Sequence, residues 1–340
     1  MLRSIIDQSQ YEITRLIATG GMGEVYEAKQ LGFNGFQKKV AIKTLLEEHA
    51  KNDLFIEMFI QEAKLAATLI HENIIQIYQL GYTNEGYYIV MEYVEGVSLH
   101  GLLEHLKRFK KEMLPTNLAV FLCSKIARAL AYAHSREDDF GRLLNVIHRD
   151  VCPNNIMITV EGQPKLADFG IARAQNIGSI MDKSTSKIFG KLPYMSPSQA
   201  KMKELDFHAD IFGLGAVLFE CLSGEPIRKV DSLETLLKMA ENGEVDWSLL
   251  PEDLKPEIKN LLKNMLSDKK VYPDIDSLAQ ELEMYIYRDG YGPTIKSMQK
   301  YLQKEMSILY NRNKMAESST IRKPTEMKKI QNMATLIIDQ

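Results

Sequence analysis

Cysteine is scarce in this chain: Cys123, Cys152 and Cys221 are the only three among 340 residues. They are widely separated and form no CxxC pair, which excludes a disulfide framework and a zinc site of ordinary spacing. No stretch of eighteen apolar residues runs uninterrupted, and the opening "MLRSIIDQSQYEITRLIATG" holds no long apolar block. Neither a signal peptide nor a membrane span is therefore expected, and a reducing, cytoplasmic setting fits the free thiols. Charge of one sign is also lacking. A formal net charge of -3 gives no reason to expect nucleic acid as a partner. What is present is an ordinary globular composition, 45% hydrophobic and 26% charged, in a chain long enough for one large domain or two smaller ones with a tail.

Residues 11 to 93 read as strand-rich. "YEITRLIATG", "GEVYEAKQLG", "QKKVAIKTLL", "IIQIYQLGYT" and "GYYIVMEYV" are short β-branched or aromatic runs bounded by Gly or Asn. One helix interrupts them: Phe55, Phe59, Ala63, Ala66 and Leu69 recur at helical spacing, with Asn52 or Asp53 placed to cap the start. From about residue 98 the periodicity is mainly helical, with short strands near 155 to 167. Residues 291 to 340 hold nine Lys or Arg against four Asp or Glu. Helical spacing persists through "TIKSMQKYLQKEMSILYNR", and the polar "KMAESSTIRKPTEMKK" beyond it is expected to be disordered.

Several short motifs carry chemistry. In "LIATGGMGEVYEA" the glycines Gly20, Gly21 and Gly23 let backbone amides approach phosphate oxygens, with Val25 positioned to cover a base. Such a loop alone also fits many tight hairpins. Next, "VAIK" ends at Lys43, and Glu62 follows nineteen residues later on the amphipathic helix; a carboxylate there would orient the ammonium toward α and β phosphates. Finally "HRD", His148 to Asp150, precedes Asn155, and "DFG" begins at Asp168. Asp168 and Asn155 are oxygen ligands suited to a metal-bridged nucleotide, and Asp150 is placed to accept the proton of an attacking hydroxyl.

With these motifs in this order, the chain resembles the protein kinase family, and more narrowly the bacterial Ser/Thr kinases of eukaryotic type, whose "GGMGEVY" loop it reproduces. The resemblance covers roughly residues 11 to 288. It implies an α+β bilobal fold, with a small β-rich N-lobe holding one helix over 11–94 and a larger, mainly helical C-lobe over 95–288. A lead-in at 1–10 and a basic extension at 289–340, partly helical and then disordered, flank them. Implied too are ATP and Mg2+, or Mn2+, as cofactors, and Ser- or Thr-bearing proteins as substrates. Adenine is expected at backbone groups from Glu92 to Val94, beside a gatekeeper at Met91 and apolar faces from Val25, Ala41 and Met157. Asp210 in "HADIFGLG" matches the family's buried anchor for the catalytic loop.

Four departures from the family's pattern matter. Ala18 replaces the first loop glycine, which a negative φ would tolerate. Cys152 stands where most Ser/Thr kinases place the lysine that contacts the transferred phosphate, and a neutral thiol cannot stabilise developing negative charge as an ammonium does. Lys191 stands where the family commonly has threonine. Either the charge has moved, Lys191 reaching Asp150 and the γ-phosphate, or the two substitutions are unrelated. Ser198 replaces the glutamate of the "APE" motif, and its usual arginine partner is expected to be missing as well, with Val271 in its place; joint loss of a buried pair can be nearly neutral.

Two readings of activity stay open, a working Ser/Thr kinase and a nucleotide-binding pseudokinase scaffold. In the working enzyme Ser184, Thr185 and Ser186 are candidate autophosphorylation sites, with Arg149 available to pair with the phosphate. The basic extension either docks on the acidic body or stays solvated.

Overall fold

The computed structural model describes residues 10–20, 23–47, 49–138, 140–169, 190–307 and 309–310. They divide into two compact units: residues up to Ile70 together with Ile75–Val94, and His71–Ile74 together with those from Glu95 onward.

The first unit is an antiparallel sheet with one helix. Its strands are β1 (Gln10–Thr19), β2 (Gly23–Leu31), β3 (Gln37–Leu45), β4 (Ile77–Thr83) and β5 (Gly86–Glu92), in the order β1-β2-β3-β5-β4. Because successive side chains on a strand face opposite ways, Val90 and its neighbour Ile89 serve two different clusters. Val90 packs with Ala28, Val40 and Ile42, whereas Ile89 packs with Phe59 and Ala63 of helix α1 (Asp53–Ala67). The Asn52 side chain accepts a hydrogen bond from the Leu54 N–H and caps α1.

The second unit is mainly helical. A small sheet of β6 (Gly96–Ser98), β7 (Ile156–Thr159) and β8 (Pro164–Leu166) lies among α2 (Leu99–His105), α3 (Thr116–His134), α4 (Pro197–Ala200), α5 (His208–Ser223), α6 (Leu233–Asn242), α7 (Pro256–Met265), α8 (Ile275–Tyr287) and α9 (Ile295–Glu305). Every residue of α5 from Ala209 to Leu222 is buried, with α3 and α7 packed against it. Arg128 on α3 grips Glu283 on α8 with two parallel hydrogen bonds, 3.0 and 2.5 Å.

Helix α9 ends at Glu305, and residues 309–310 are helical again. A capping box between Thr294 and Ser297 starts α9, and Met298, Leu302 and Met306 are buried. Apolar packing thus holds α9 against the second unit, assisted by Lys110 to Glu305 at 3.1 Å and by the Tyr310 hydroxyl donating to Val160 O at 2.6 Å. The residues beyond 310 lie outside the described ones.

Candidate active site

In the first unit, Lys43 projects from β3 and Glu62 from α1. Their side chains meet at 2.9 Å, and Glu62 is buried, so the pair is partly shielded from water. Backbone pairing fixes the origin of the lysine: Lys43 lies opposite Val25 on β2 and Ile89 on β5. Ala41 is paired with Met91, which brings two residues expected around a base onto adjacent strands. Ala18 belongs to extended strand β1, opposite Val25, and its φ is not positive, so it needs no glycine there. Gly20 N–H donates to Gly23 O at 2.7 Å across the turn. A Cβ at Gly23 would come within 2.0 Å of Thr44 O, so close strand approach alone demands glycine there, whatever binds the loop. Gly21 lies outside the described residues.

In the second unit, Asp210 is fully buried at the start of α5 and organises the loop before Asp150. Its Oδ2 accepts from His148 N–H at 2.8 Å and contacts His134 Nε2 at 2.8 Å, while Oδ1 accepts from Arg149 N–H at 2.7 Å. Burial alone would raise this carboxyl, but the His134 and His148 contacts outweigh it and hold it below its ordinary value. Asp150 N–H donates to His148 Nδ1, which leaves the proton on Nε2 for Ala167 O at 2.9 Å. The backbone of Arg149 is left-handed, φ 67°, as is that of Asp168 at 55°. Burial lowers the Arg149 guanidinium, with Asp210 opposing the shift.

Asp150 is the centre of the arrangement. Asn155 Nδ2 donates to its carbonyl at 2.8 Å and to its Oδ2 at 2.9 Å, Cys152 Sγ lies 4.0 Å from its Oδ1, and Lys191 Nζ contacts its Oδ2 directly. Burial pushes the Cys152 thiol up to about 12, with the Asp150 charge adding to this and Lys191 opposing, so a neutral thiol stands beside the carboxylate. With Asn155 Nδ2 turned to Asp150, its amide oxygen is the atom left to face a cation. Together with the Asp168 carboxylate this makes a hard oxygen donor set, suited to a divalent ion that also takes phosphate and water oxygens.

The comparison with known proteins follows the same residues. The protein kinase domain profile matches residues 11–271. The chain belongs to the protein kinase family. This kinase chain is 37% identical over 279 residues to "Tyrosine-protein kinase MasK" of Myxococcus xanthus, covering 81% of the chain and 43% of that protein. It is 38% identical over 221 residues to "Serine/threonine-protein kinase PrkC" of Bacillus subtilis, 63% of the chain and 30% of the relative. It is 34% identical over 260 residues to "Serine/threonine-protein kinase PknA" of Mycobacterium tuberculosis, 75% and 56% respectively. The kinase chain thus spans 30% to 56% of the length of these relatives. Among its described residues no helix is long and apolar enough to cross a membrane.

One placement from the sequence needs correction. Val271 does not occupy the site of the family's buried arginine, for it is 46% exposed. Its neighbour Tyr272 turns inward, 5% exposed, and donates to Glu281 at 2.7 Å. A different cation is buried near the segment carrying Ser198: Arg228, whose Nη2 donates to Met195 O at 3.3 Å. Neither Arg228 nor His134 was singled out in the sequence, because their partners lie 33 and 76 positions away and no local pattern marks them.

Proposed function

We propose that the chain is an active protein kinase that transfers the γ-phosphoryl group of ATP to Ser or Thr hydroxyls of proteins, in the cytoplasm, and that it phosphorylates itself. The observation that carries this reading is the contact of Lys191 Nζ with Asp150 Oδ2 beside the neutral, buried Cys152. Cys152 is the departure that argues most against catalysis, and a cation already at the catalytic carboxylate supplies what the thiol lacks.

In this reading Lys43, oriented by Glu62, holds the α and β phosphates. Ala18 on β1 and the glycines Gly20, Gly21 and Gly23 that follow it cover them. Backbone groups of Glu92 and Val94 hold adenine beside Val25 and Ala41, next to Met91, which is paired with Ala41. Asp168 and Asn155 would hold Mg2+, or Mn2+, which when bound neutralises charge on the β and γ oxygens. Asp150 accepts the proton of the attacking hydroxyl, and Lys191 stabilises negative charge as it develops on the transferred group. No positive charge is then needed at residue 152.

Preference for Ser or Thr rests on the family resemblance and on relatives such as PrkC and PknA, whereas MasK is named a tyrosine kinase. Incubation of wild type and Asp168→Ala with radiolabelled ATP and Mg2+ tests the reading. Label in wild type alone supports transfer, and no label in either supports a scaffold. Phosphoamino-acid analysis of the same sample identifies the acceptor. Ser184, Thr185 and Ser186 lie outside the described residues; mass spectrometry with and without ATP tests their modification.

A further inference from the structure

The loop that carries Asp150 and the segment that carries Lys191 are far apart in sequence, so something must fix their separation. Asp210 holds that loop from the N–H side, through His148 and Arg149. On the carbonyl side, Arg149 O accepts a hydrogen bond from Gln199 Nε2 at 2.8 Å. The other end of the same amide is also used, for Gln199 Oε1 accepts from Ser196 N–H at 3.0 Å. Gln199 N–H in turn donates to Ser196 Oγ at 3.3 Å, completing a capping box at the start of α4. With a carbonyl at one end and an N–H at the other, the amide has one orientation only. Gln199 is buried, so water competes poorly for these bonds.

Arg149 is where such a clamp matters. A left-handed backbone at a residue other than glycine is costly, and it persists only where its surroundings hold it. The residue after it is Asp150. We propose that Gln199 is a positioning residue: it ties the segment bearing Lys191 to the loop bearing Asp150, and so sets the geometry of the Lys191–Asp150 pair for phosphoryl transfer. The inference rests on the kinase reading above, and it also has a consequence that does not require catalysis.

Two variants of the full chain test it. Gln199→Glu keeps an acceptor for Ser196 N–H but presents a carboxylate, not a donor, to Arg149 O; Gln199→Met keeps the length and loses both bonds. Expected for each is a kcat lowered about 10- to 100-fold, since small misplacement of reacting groups costs that much. KM for ATP should stay within about twofold, because the ATP-holding pair Lys43–Glu62 is untouched. Amide hydrogen exchange read by mass spectrometry should be faster in peptides spanning 148–152 and unchanged in α5 and α8. Wild-type kcat and wild-type exchange in a folded variant would overturn the proposal, as would uniformly faster exchange across the unit. Should Gln199→Glu fail to fold by circular dichroism, Gln199→Met decides alone. If wild type itself transfers no phosphate, the kinase reading fails, and the local exchange measurement still decides whether Gln199 holds the loop.

Discussion

The Tyr194 phenol donates to Glu220 Oε2 at 2.5 Å, joining the segment that carries Lys191 to the buried helix α5. Burial pushes the Glu220 carboxyl up to about 7, against the opposing hydrogen bond from Tyr194 and the charge of Lys107, while Glu104 and Glu225 add to the rise. The phenol is itself pushed well up by burial and by Glu220, so it remains a donor.

A pH dependence follows. The folded state binds the Glu220 proton more tightly than an unfolded chain, whose carboxyl titrates near 4.5. The stability this contributes is full below that value and is lost as pH rises through about 7, by up to about 3 kcal/mol. Urea unfolding of wild type and Glu220→Gln at pH 5, 6, 7 and 8 checks it. The variant should show a flatter profile and the greater stability at pH 8; parallel profiles would contradict the assignment.

Arg228 is 0% exposed, and among the described residues its Nε and Nη1 have no hydrogen-bond partner. Burial lowers its guanidinium to about 10, although Glu244 opposes this and the Phe212 ring lies 5.5 Å away. Replacing a poorly satisfied buried cation with an apolar chain of similar length is often neutral or stabilising, so Arg228→Met should change stability by between zero and about +2 kcal/mol. Thermal unfolding measures it, and a loss of more than about 2 kcal/mol would show that the charge is better satisfied than its hydrogen bonds indicate.

Helix α9 lies beyond the matched kinase residues, yet Met298 and Leu302 are fully buried. Leu302→Ala should therefore destabilise the protein by about 2 to 4 kcal/mol, whereas exposed Lys296→Ala on the same helix should change it by less than about 0.5 kcal/mol. Equal effects in denaturant melts would mean that α9 adds nothing through its apolar face.

Loss of the Glu62 carboxylate removes the 2.9 Å ion pair that orients Lys43. Glu62→Gln should lower kcat/KM for ATP about tenfold or more, while a melting temperature close to wild type would attribute the loss to orientation. Unchanged steady-state kinetics would remove Glu62 from the site.

Much of the architecture was legible because its signals are local. The β-branched runs became β1 to β5, and the repeat of Phe59, Ala63 and Ala66 became the buried face of α1, capped by Asn52. The individual motifs were legible for the same reason. What the sequence hid was long-range or off by one. Gln199 reaches Arg149 across 50 positions and His134 reaches Asp210 across 76, and neither residue type signals its partner. Val271 and Tyr272 adjoin in an irregular stretch, where no periodicity says which one turns inward. Gly23 read as a phosphate-loop glycine, yet the close approach of β3 already requires it.

The most direct test concerns the charge at Lys191. Single-turnover phosphoryl transfer at saturating ATP should fall about 10²- to 10³-fold in Lys191→Ala, as for loss of one group that stabilises transition-state charge, and by less than about fivefold in Cys152→Ser. The paired change Cys152→Lys with Lys191→Thr should recover much of the loss. Equal, small effects of Lys191→Ala and Cys152→Ser, with transfer intact, would show that the cation at Asp150 takes no part in the reaction.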